Sequence, residues 1–428
     1  MTRSTLARGL VLALLLSAFV YLPVQAESAP RSINEIAALA LKHSADLTAL
    51  ERETAAKQAL AIQAGTFSNP SLELQGSTGS LTGSPEEHSI SIGINQEISL
   101  YGKLRLRREA VQREAESLLR QRDNAARLLR DEISTIALDY LLVAKRQELA
   151  TDQVKLNREL VVIAEERFKA GDIPELELNL AKVELTRAES RLLEAGREQT
   201  PLRIRIASLT GLKESDVKLS DAFSAPTVSP LAQDLVKTAL ASRPDLLAVA
   251  RERDKAETEN RLAKAEALPN LTAGFFAQWQ QSSVEVGGMS STSSDTQLGL
   301  RLSMPIPVFD RNLSGQSAAR SRLDAAESRR LAMERTIRTE VEAAVARLSA
   351  SERILTMFEQ GILPQLKENL KLIQEAYRVG EVGILSVIDE QKKFFEVNDS
   401  YLSAQYNRRV ASTKLETAVA VELNGGAK

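Results

Sequence analysis

The chain has no cysteine, few aromatic residues and no excess of charge of either sign. Without cysteine among its 428 residues, it has no disulfides, no thiolate metal sites and no lipid-modified N-terminal cysteine. Aromatic residues make up 4%, too few for base-stacking platforms, and the formal net charge of −2 gives no basic field for nucleic acid. The composition therefore argues against nucleic-acid partners.

Residue patterns typical of catalytic or metal centres are also missing. The two histidines, His43 and His88, lie far apart in the sequence, and no Cys, His or carboxylate spacing predicts a zinc site. The pair Gly287 and Gly288 lacks the strand-to-helix context of a phosphate-binding loop. No candidate nucleophile has a recognisable base. We therefore predict no enzyme activity, no cofactor and no bound metal.

Long hydrophobic runs are missing except at the N-terminus. Arg3 and Arg8 precede an apolar run at residues 10–20, and small residues at 24–26 follow it with cleavage-site spacing. The run is about half of the roughly 20 residues that a membrane-spanning helix needs. We therefore predict a signal peptide at residues 1–26, cleaved after Ala26, and any membrane insertion of the mature chain by β-strands.

The remaining chain contains two copies of one sequence repeat, at residues 27–212 and 231–428, with an irregular linker at 213–230. The first copy aligns to the second without a gap at positions spread over about thirty residues. The matched positions include Ala40, Leu41, Asp46, Leu47 and Arg52 in the first copy, and Ala239, Leu240, Asp245, Leu246 and Arg251 in the second.

Each copy contains a stretch of two-residue alternation that predicts a β-hairpin, at about residues 71–98 and 270–304. Residues 76–87 and 281–295, rich in Ser, Gly and Thr, are predicted loops. A soluble hairpin packed on helices has the same alternation. The export signal favours membrane strands, as do aromatic residues where interfacial girdles lie. These aromatic residues are Trp279 at the loop end of its strand, and Tyr101 and Phe309 just past the opposite ends.

Apolar residues at spacings of three, four and seven predict coiled-coil rods at about residues 103–170 and 312–379. At 1.5 Å per residue, 68 residues make one rod, or two stacked helices, of about 100 Å. Gly171 and Gly380 are natural left-handed caps, so each rod is expected to turn there into a returning helix. Four strands cannot close a barrel alone, and open edges are not tolerated in lipid. Three copies of the chain would supply 12 strands.

The duplicated helix–hairpin–helix layout resembles the outer membrane efflux protein family. The resemblance also rests on Gln-Glu-Ile-Ser-Leu-Tyr-Gly-Lys at 96–103, Leu-Pro-Asn-Leu at 268–271 and Pro-Ile-Pro-Val-Phe-Asp-Arg-Asn at 305–312. In detail the chain is most similar to the outer-membrane subunit of cobalt-zinc-cadmium efflux systems. The resemblance implies a mostly α fold with a small membrane β-barrel contribution: a trimer with a 12-stranded barrel in the outer membrane of a Gram-negative bacterium and a long periplasmic α-helical tunnel.

The resemblance also implies partners and functional residues. The expected partners are a periplasmic adaptor protein and a proton-driven inner-membrane transporter of the RND type. The expected pore constriction is Asp389 with Glu177, while Ser386 stands where the family often has a second acidic residue. The residues expected to face the adaptor are Gly171, Tyr377, Arg378 and Gly380. Asn95 and Arg301 are expected to face the barrel lumen. An ordinary exposed helix charge is the alternative for Asp389 and Glu177.

The sequence thus predicts a passive exit duct of a three-part efflux pump, with heavy-metal cations as the expected cargo. Two alternatives remain at this point: a duct of the same family for drugs or proteins, and a secreted coiled-coil adaptor or interaction protein. Adaptors usually have one helical hairpin between β-rich modules, whereas this chain has two helical hairpins and few strands.

Overall fold

The computed structural model describes residues 30–82, 84–220, 223 and 232–421; the predicted signal peptide lies outside them. The first copy contains helix α1 (Ile33–His43), α2 (Ala45–Ala64), strands β1 (Ser71–Thr78) and β2 (His88–Ile98), α3 (Lys103–Ala170) and α4 (Glu175–Thr210), and a 3₁₀ turn (Glu214–Asp216) follows in the predicted linker. The second contains α5 (Ala232–Ser242), α6 (Pro244–Glu266), β3 (Leu271–Val286), β4 (Met289–Ser303), α7 (Leu313–Met357), a π-helical turn (Phe358–Ile362), α8 (Leu363–Arg378) and α9 (Ile384–Val419).

The short helices begin at different kinds of cap in the two copies. Helix α1 starts with a capping box, in which the Ser32 hydroxyl accepts from the Glu35 N–H (3.2 Å) and the Glu35 carboxylate accepts from the Ser32 N–H (2.9 Å). The Ser44 hydroxyl caps α2 by accepting from the Leu47 N–H. At the matching position of the second copy, Arg243 precedes α6 and its side chain makes no cap.

The first predicted rod is one unbroken helix. Helix α3 has 68 residues, so it is about 100 Å long. The second rod, predicted at 312–379, is interrupted: a π-helical turn at Phe358–Ile362 separates α7 from α8. Pro364 stands in the first turn of α8 and has no N–H for the carbonyl four residues before it, so an unbroken α-helix would leave that carbonyl unpaired.

The four strands form one antiparallel sheet in the order β1-β2-β3-β4. Each copy forms its own hairpin, and β2 pairs with β3 to join the copies. The prediction of a loop at 281–295 was wrong. The strands continue to Val286 and from Met289, and the turn is Gly287 and Gly288 with φ of +64° and +84°. Two consecutive positive φ values suit a two-residue type I′ turn, which glycine enters without steric cost.

The sheet has one apolar and one polar face, set by the two-residue period of the strands. The pairing register places the apolar side chains of all four strands together. This apolar face contains Leu72, Leu74, Ile90, Ile92, Ile94, Ala273, Phe275, Ala277, Trp279, Leu298, Leu300 and Leu302. Most of the large ones are more than half exposed in the single chain. Over the same rows the opposite face carries Glu73, Gln75, Asn95, Gln278, Gln297 and Arg301, together with glycines and Phe276.

The helices of the two copies interleave. Helix α3 packs against α2 and α4 of its own copy and against α6 and α9 of the other, while α7 packs against α6 and α9. Leu219 forms a parallel bridge with Arg31, and Val217 and Phe223 are buried in the apolar core around α1 and α3. The described part of the predicted linker therefore docks on the first copy.

Candidate functional site

The two helical hairpins end in neighbouring turns with the same backbone conformation. Gly171 and Gly380 have φ of +82° and +85°, the left-handed region that favours glycine. After the first turn the Asp172 N–H donates to the Arg167 carbonyl, and after the second the Glu381 N–H donates to the Ala376 carbonyl, both at 2.9 Å. These bonds satisfy carbonyls at the ends of α3 and α8. We call this region, residues 160–181 and 373–391, the turn end.

An apolar cluster and one arginine hold the two turns together. The cluster contains Leu160, Val161, Ala164, Ile173, Leu178 and Ala181 from the first copy, and Tyr377, Ile384, Val387 and Ile388 from the second. Arg167 Nη1 donates to the Tyr377 carbonyl at 2.9 Å, and its guanidinium lies 4.8 Å from the centre of the Tyr377 ring. The turns are thus one packed unit.

Tyr377 corrects the sequence analysis, which placed it among the residues facing an adaptor. Its side chain is 1% exposed, so it belongs to the core of the turn end. Its hydroxyl and Glu177 Oε2 are both buried without a hydrogen-bond partner. Burial raises the pKa of Tyr377, and the Glu177 carboxylate raises it further against the effect of Arg167. Gly171, Arg378 and Gly380 are exposed and remain available to a partner.

The three residues predicted to constrict a pore lie in two environments. Asp389 and Ser386 are exposed on α9, one turn apart, whereas Glu177 on α4 is partly buried. Their neighbours Ile388 and Leu178 belong to the same apolar cluster. Glu177 and Asp389 therefore both lie next to one apolar cluster at the turn end, about 100 Å along α3 from the sheet.

Asn95 and Arg301 lie on the polar face of the sheet, since both pair with Gly274 in the register. Arg301 forms an ion pair with Glu73, a residue that the sequence analysis did not single out. Of the predicted interface aromatics, Trp279 lies on the apolar face with its ring centre 5.0 Å from that of His88. Because β3 continues to Val286, Trp279 lies in the middle of its strand and not at the loop end as predicted. Tyr101 and Phe309 follow the ends of β2 and β4, and the Phe309 side chain is fully exposed.

A buried charge network in the middle of the helices was also not predicted. Arg243 is 3% exposed, pairs with Asp245 at 2.5 Å and also bonds to Glu340. Arg127 approaches Asp245 at 3.5 Å and donates to the Thr417 carbonyl at 2.6 Å. Burial alone would raise the pKa of Asp245, but Arg243 and Arg127 outweigh burial and lower it. The charged residues Arg243 and Asp245 at the start of α6 were the signal in the sequence from which this network could have been predicted.

Among the described residues, no helix combines the length and the apolarity needed to cross a membrane. In the same part of the chain, no three His, Asp or Glu side chains converge as metal ligands would.

Comparison with known proteins assigns the family. The model of the outer membrane efflux protein family matches residues 36–212 and 235–421. The chain therefore belongs to the outer membrane efflux protein family. The two matches correspond to the two copies of the repeat.

Individual relatives are distant but nearly of full length. The cobalt-zinc-cadmium resistance protein CzcC of Cupriavidus metallidurans is 23% identical over 90% of this chain and 89% of its own. The pyoverdine export outer membrane protein OpmQ of Pseudomonas putida is 24% identical over 90% and 85%. The cation efflux system protein CusC of Escherichia coli is 23% identical over 79% and 74%.

Solved structures confirm the fold. A crystal structure of CusC superposes with a TM-score of 0.74 at 17% identity, covering 92% of this chain and 93% of the other. The outer membrane protein VceC of Vibrio cholerae gives a TM-score of 0.69 at 17% identity, covering 91% and 96%. The mostly helical fold with four antiparallel strands is therefore that of the outer-membrane channels.

Proposed function

We propose that this chain forms the outer-membrane exit duct of a three-part efflux pump. The observation that carries the proposal is the separation of two unlike ends by one helix. A sheet with a continuous apolar face precedes α3, and the turn end follows it about 100 Å away. The first end suits lipid, and the second suits a protein partner in the periplasm.

The free edges of the sheet support a trimer. Within one chain β1 and β4 each pair on one side only, and unpaired strand edges are not tolerated in lipid. Three chains supply 12 strands, enough to enclose a channel that eight strands would fill with side chains. The apolar face then contacts outer-membrane lipid, Trp279, Tyr101 and Phe309 lie at its borders, and Asn95 and Arg301 face the lumen.

The turn end then supplies the contacts with the pump. Gly171, Arg378 and Gly380 are exposed there and are proposed to meet the periplasmic adaptor, which connects the duct to an inner-membrane RND-type transporter. Asp389, Ser386 and Glu177 are proposed to narrow the tunnel at that end. Three symmetry-related copies of Asp389 would form a ring that attracts cations.

Heavy-metal cations are the proposed cargo. Two relatives support this choice: CzcC, a cobalt-zinc-cadmium resistance protein, and CusC, a cation efflux system protein. OpmQ, a pyoverdine export protein of similar identity and coverage, supports an organic siderophore as the second candidate. A deletion strain distinguishes them. Metal cargo predicts lower resistance to cobalt, zinc or cadmium with unchanged siderophore secretion, and the siderophore alternative predicts the reverse.

Fractionation of cells tests the duct itself. We expect the mature protein in the outer membrane as a trimer, mostly helical by circular dichroism, that conducts ions in a planar bilayer. Recovery as a soluble periplasmic monomer would favour the coiled-coil interaction protein and overturn the proposal.

A further inference from the structure

One ion pair crosses the whole polar face of the sheet. Arg301 on β4 donates to Glu73 on β1 at 2.9 Å, although the two strands lie at opposite edges of the sheet. Neighbouring strands are about 4.8 Å apart, so the pair spans three such spacings. Asn95 Nδ2 donates to the same Glu73 oxygen at 2.7 Å. The side chains therefore lie along the face instead of standing out from it.

Glycines make the space for this arrangement. Gly274 pairs with both Asn95 and Arg301, and a Cβ there would lie 2.0 Å from Asn95 Oδ1. The Phe276 ring covers Gly299 so closely that a Cβ would lie 2.5 Å from its Cζ. The Arg301 guanidinium lies 5.4 Å from the centre of that ring. We call Glu73, Asn95, Phe276 and Arg301 the strap.

In the four strands, positively charged side chains are rarer than negatively charged ones, and the strap pairs one of each. Arg301 is the only Lys or Arg in the four strands, whereas Asp and Glu occur there four times, at Glu73, Glu97, Glu285 and Asp295. The Arg301 and Glu73 side chains are 45% and 43% exposed, so both remain open to solutes passing over the face. At the level of the strap the two charges cancel.

We propose that the strap keeps the strand section of the duct from binding its own cationic cargo, because Arg301 neutralises Glu73. The proposal rests on the trimeric duct and on the cationic cargo proposed above. Three unpaired Glu73 carboxylates on the lumen wall would attract divalent cations, and conduction requires binding weak enough for the ion to leave. The pairing instead leaves the lumen wall at the strap without net charge. Selection among cargo ions therefore belongs to other parts of the pump.

The test measures the potential beside the strap without depending on the turn end. Because the chain has no cysteine, Gln75→Cys introduces a single thiol two residues from Glu73 on the same face of β1. Trimers in lipid vesicles are treated from the extracellular side with a cationic and an anionic methanethiosulfonate reagent. The ratio of the cationic to the anionic reaction rate is the readout.

We expect Arg301→Gln to raise this ratio several-fold and Glu73→Gln to lower it several-fold, since clefts lined by one sign of charge carry potentials of several kT. The double variant Glu73→Gln with Arg301→Gln is expected to return the ratio to the parent value. Gln278→Asn, on the same face and without charge, is expected to leave it unchanged.

Two kinds of failure can be told apart. The inference is overturned if the introduced thiol reacts in intact trimers but neither single variant changes the ratio of rates. It is also overturned if both single variants change the ratio in the same direction, because the strap then does not set the potential. If the Gln75→Cys thiol is unreactive while that of a Leu74→Cys control on the apolar face reacts, the polar face does not line a lumen. That result would contradict the duct itself.

Discussion

The buried network shows how single residues distinguish two copies of one repeat. Asp46 in the first copy is exposed and follows the cap Ser44, whereas the matching Asp245 is partly buried and pairs with Arg243. Asp245 therefore acts as the counter-ion of two arginines where α6 begins. A carboxylate with a lowered pKa stabilises the folded state above its unfolded pKa, and this stability is lost as the pH falls through the folded value.

We expect Asp245→Asn to lower the free energy of unfolding by about 2–3 kcal/mol at neutral pH, because hydrogen bonds to charged groups are lost in a buried site. The difference from wild type should shrink below about pH 4, where the unfolded carboxyl is protonated. Thermal melting of the helical signal at pH 7 and pH 3 measures both. Asp46→Asn is the matched control and should cost less than about 1 kcal/mol. Equal losses for the two variants would contradict the assignment.

Asp389 is the second position where we expect a single charge to matter. We expect purified trimer to show a small, cation-selective conductance, and Asp389→Ala to weaken both the cation preference and the block by trivalent cations from the periplasmic side. The physical reason is the mutual repulsion of three carboxylates, which bound cations offset. Bilayer recordings measure selectivity and block.

Glu342→Ala is the control for Asp389→Ala. Glu342 is exposed on α7 and, unlike Glu327 with its 2.8 Å contact to Arg330, takes part in no ion pair of the described chain. Unchanged selectivity and block in an intact Asp389→Ala trimer would mean that Asp389 is an ordinary solvated charge.

Among the elements, the π-helical turn distinguishes the second long helix from the first. A π turn closes hydrogen bonds over five residues instead of four, so it holds one residue more than an α-helix between the same end points. Deleting Gly361 is therefore expected to leave α7 and α8 in phase and the trimer folded, provided that the turn becomes α-helical. Deleting Ala346, inside α7, should turn everything beyond it by about 100°.

That rotation would move Leu366, Leu370 and Tyr377 out of their buried positions, so the Ala346 deletion should abolish assembly. Gel filtration and thermal melting of both deletions distinguish them. Similar damage from both would show that the π turn is required as it stands.

The elements also show what the sequence could predict. The rods and hairpins were readable because apolar residues recur at the period of a helix or a strand, as at Ile90, Ile92 and Ile94. The turn-proximal parts of β3 and β4 were not, because Gln281 to Ser283 and the Ser and Thr residues at 290–294 occupy both faces and produce no alternation. The two-residue signal Gly287-Gly288 was present and was interpreted as part of a longer loop.

The candidate sites were less predictable, because they depend on which elements meet. Family resemblance pointed to Glu177 and Tyr377, but only the packing of the two turns shows that Tyr377 is buried near Glu177. Glu73 and Arg301 lie far apart in sequence and approach only because the strand order places glycines between them. Local periodicity contains no information of this kind.

At the scale of the whole molecule, we expect the introduction of an arginine to have opposite effects on the two faces of the sheet. Leu300→Arg on the apolar face is expected to impair insertion, at about 2–4 kcal/mol near the bilayer midplane. Gln297→Arg, on the polar face of the same strand, should insert normally. Trimer yield in the outer membrane measures both. Equal tolerance would mean that the apolar face does not meet lipid.

The strand order has a consequence for symmetry. Inside one chain, β2 of the first copy pairs with β3, the first strand of the second copy. In the proposed ring, β4 would meet β1 of the next chain, which is again a second strand beside a first strand. The helices follow the same rule, since α3 already packs on α6, the counterpart of α2. The proposed threefold assembly would thus be a pseudo-sixfold ring of hairpins, in which the joint within a chain and the joint between chains follow the same strand order.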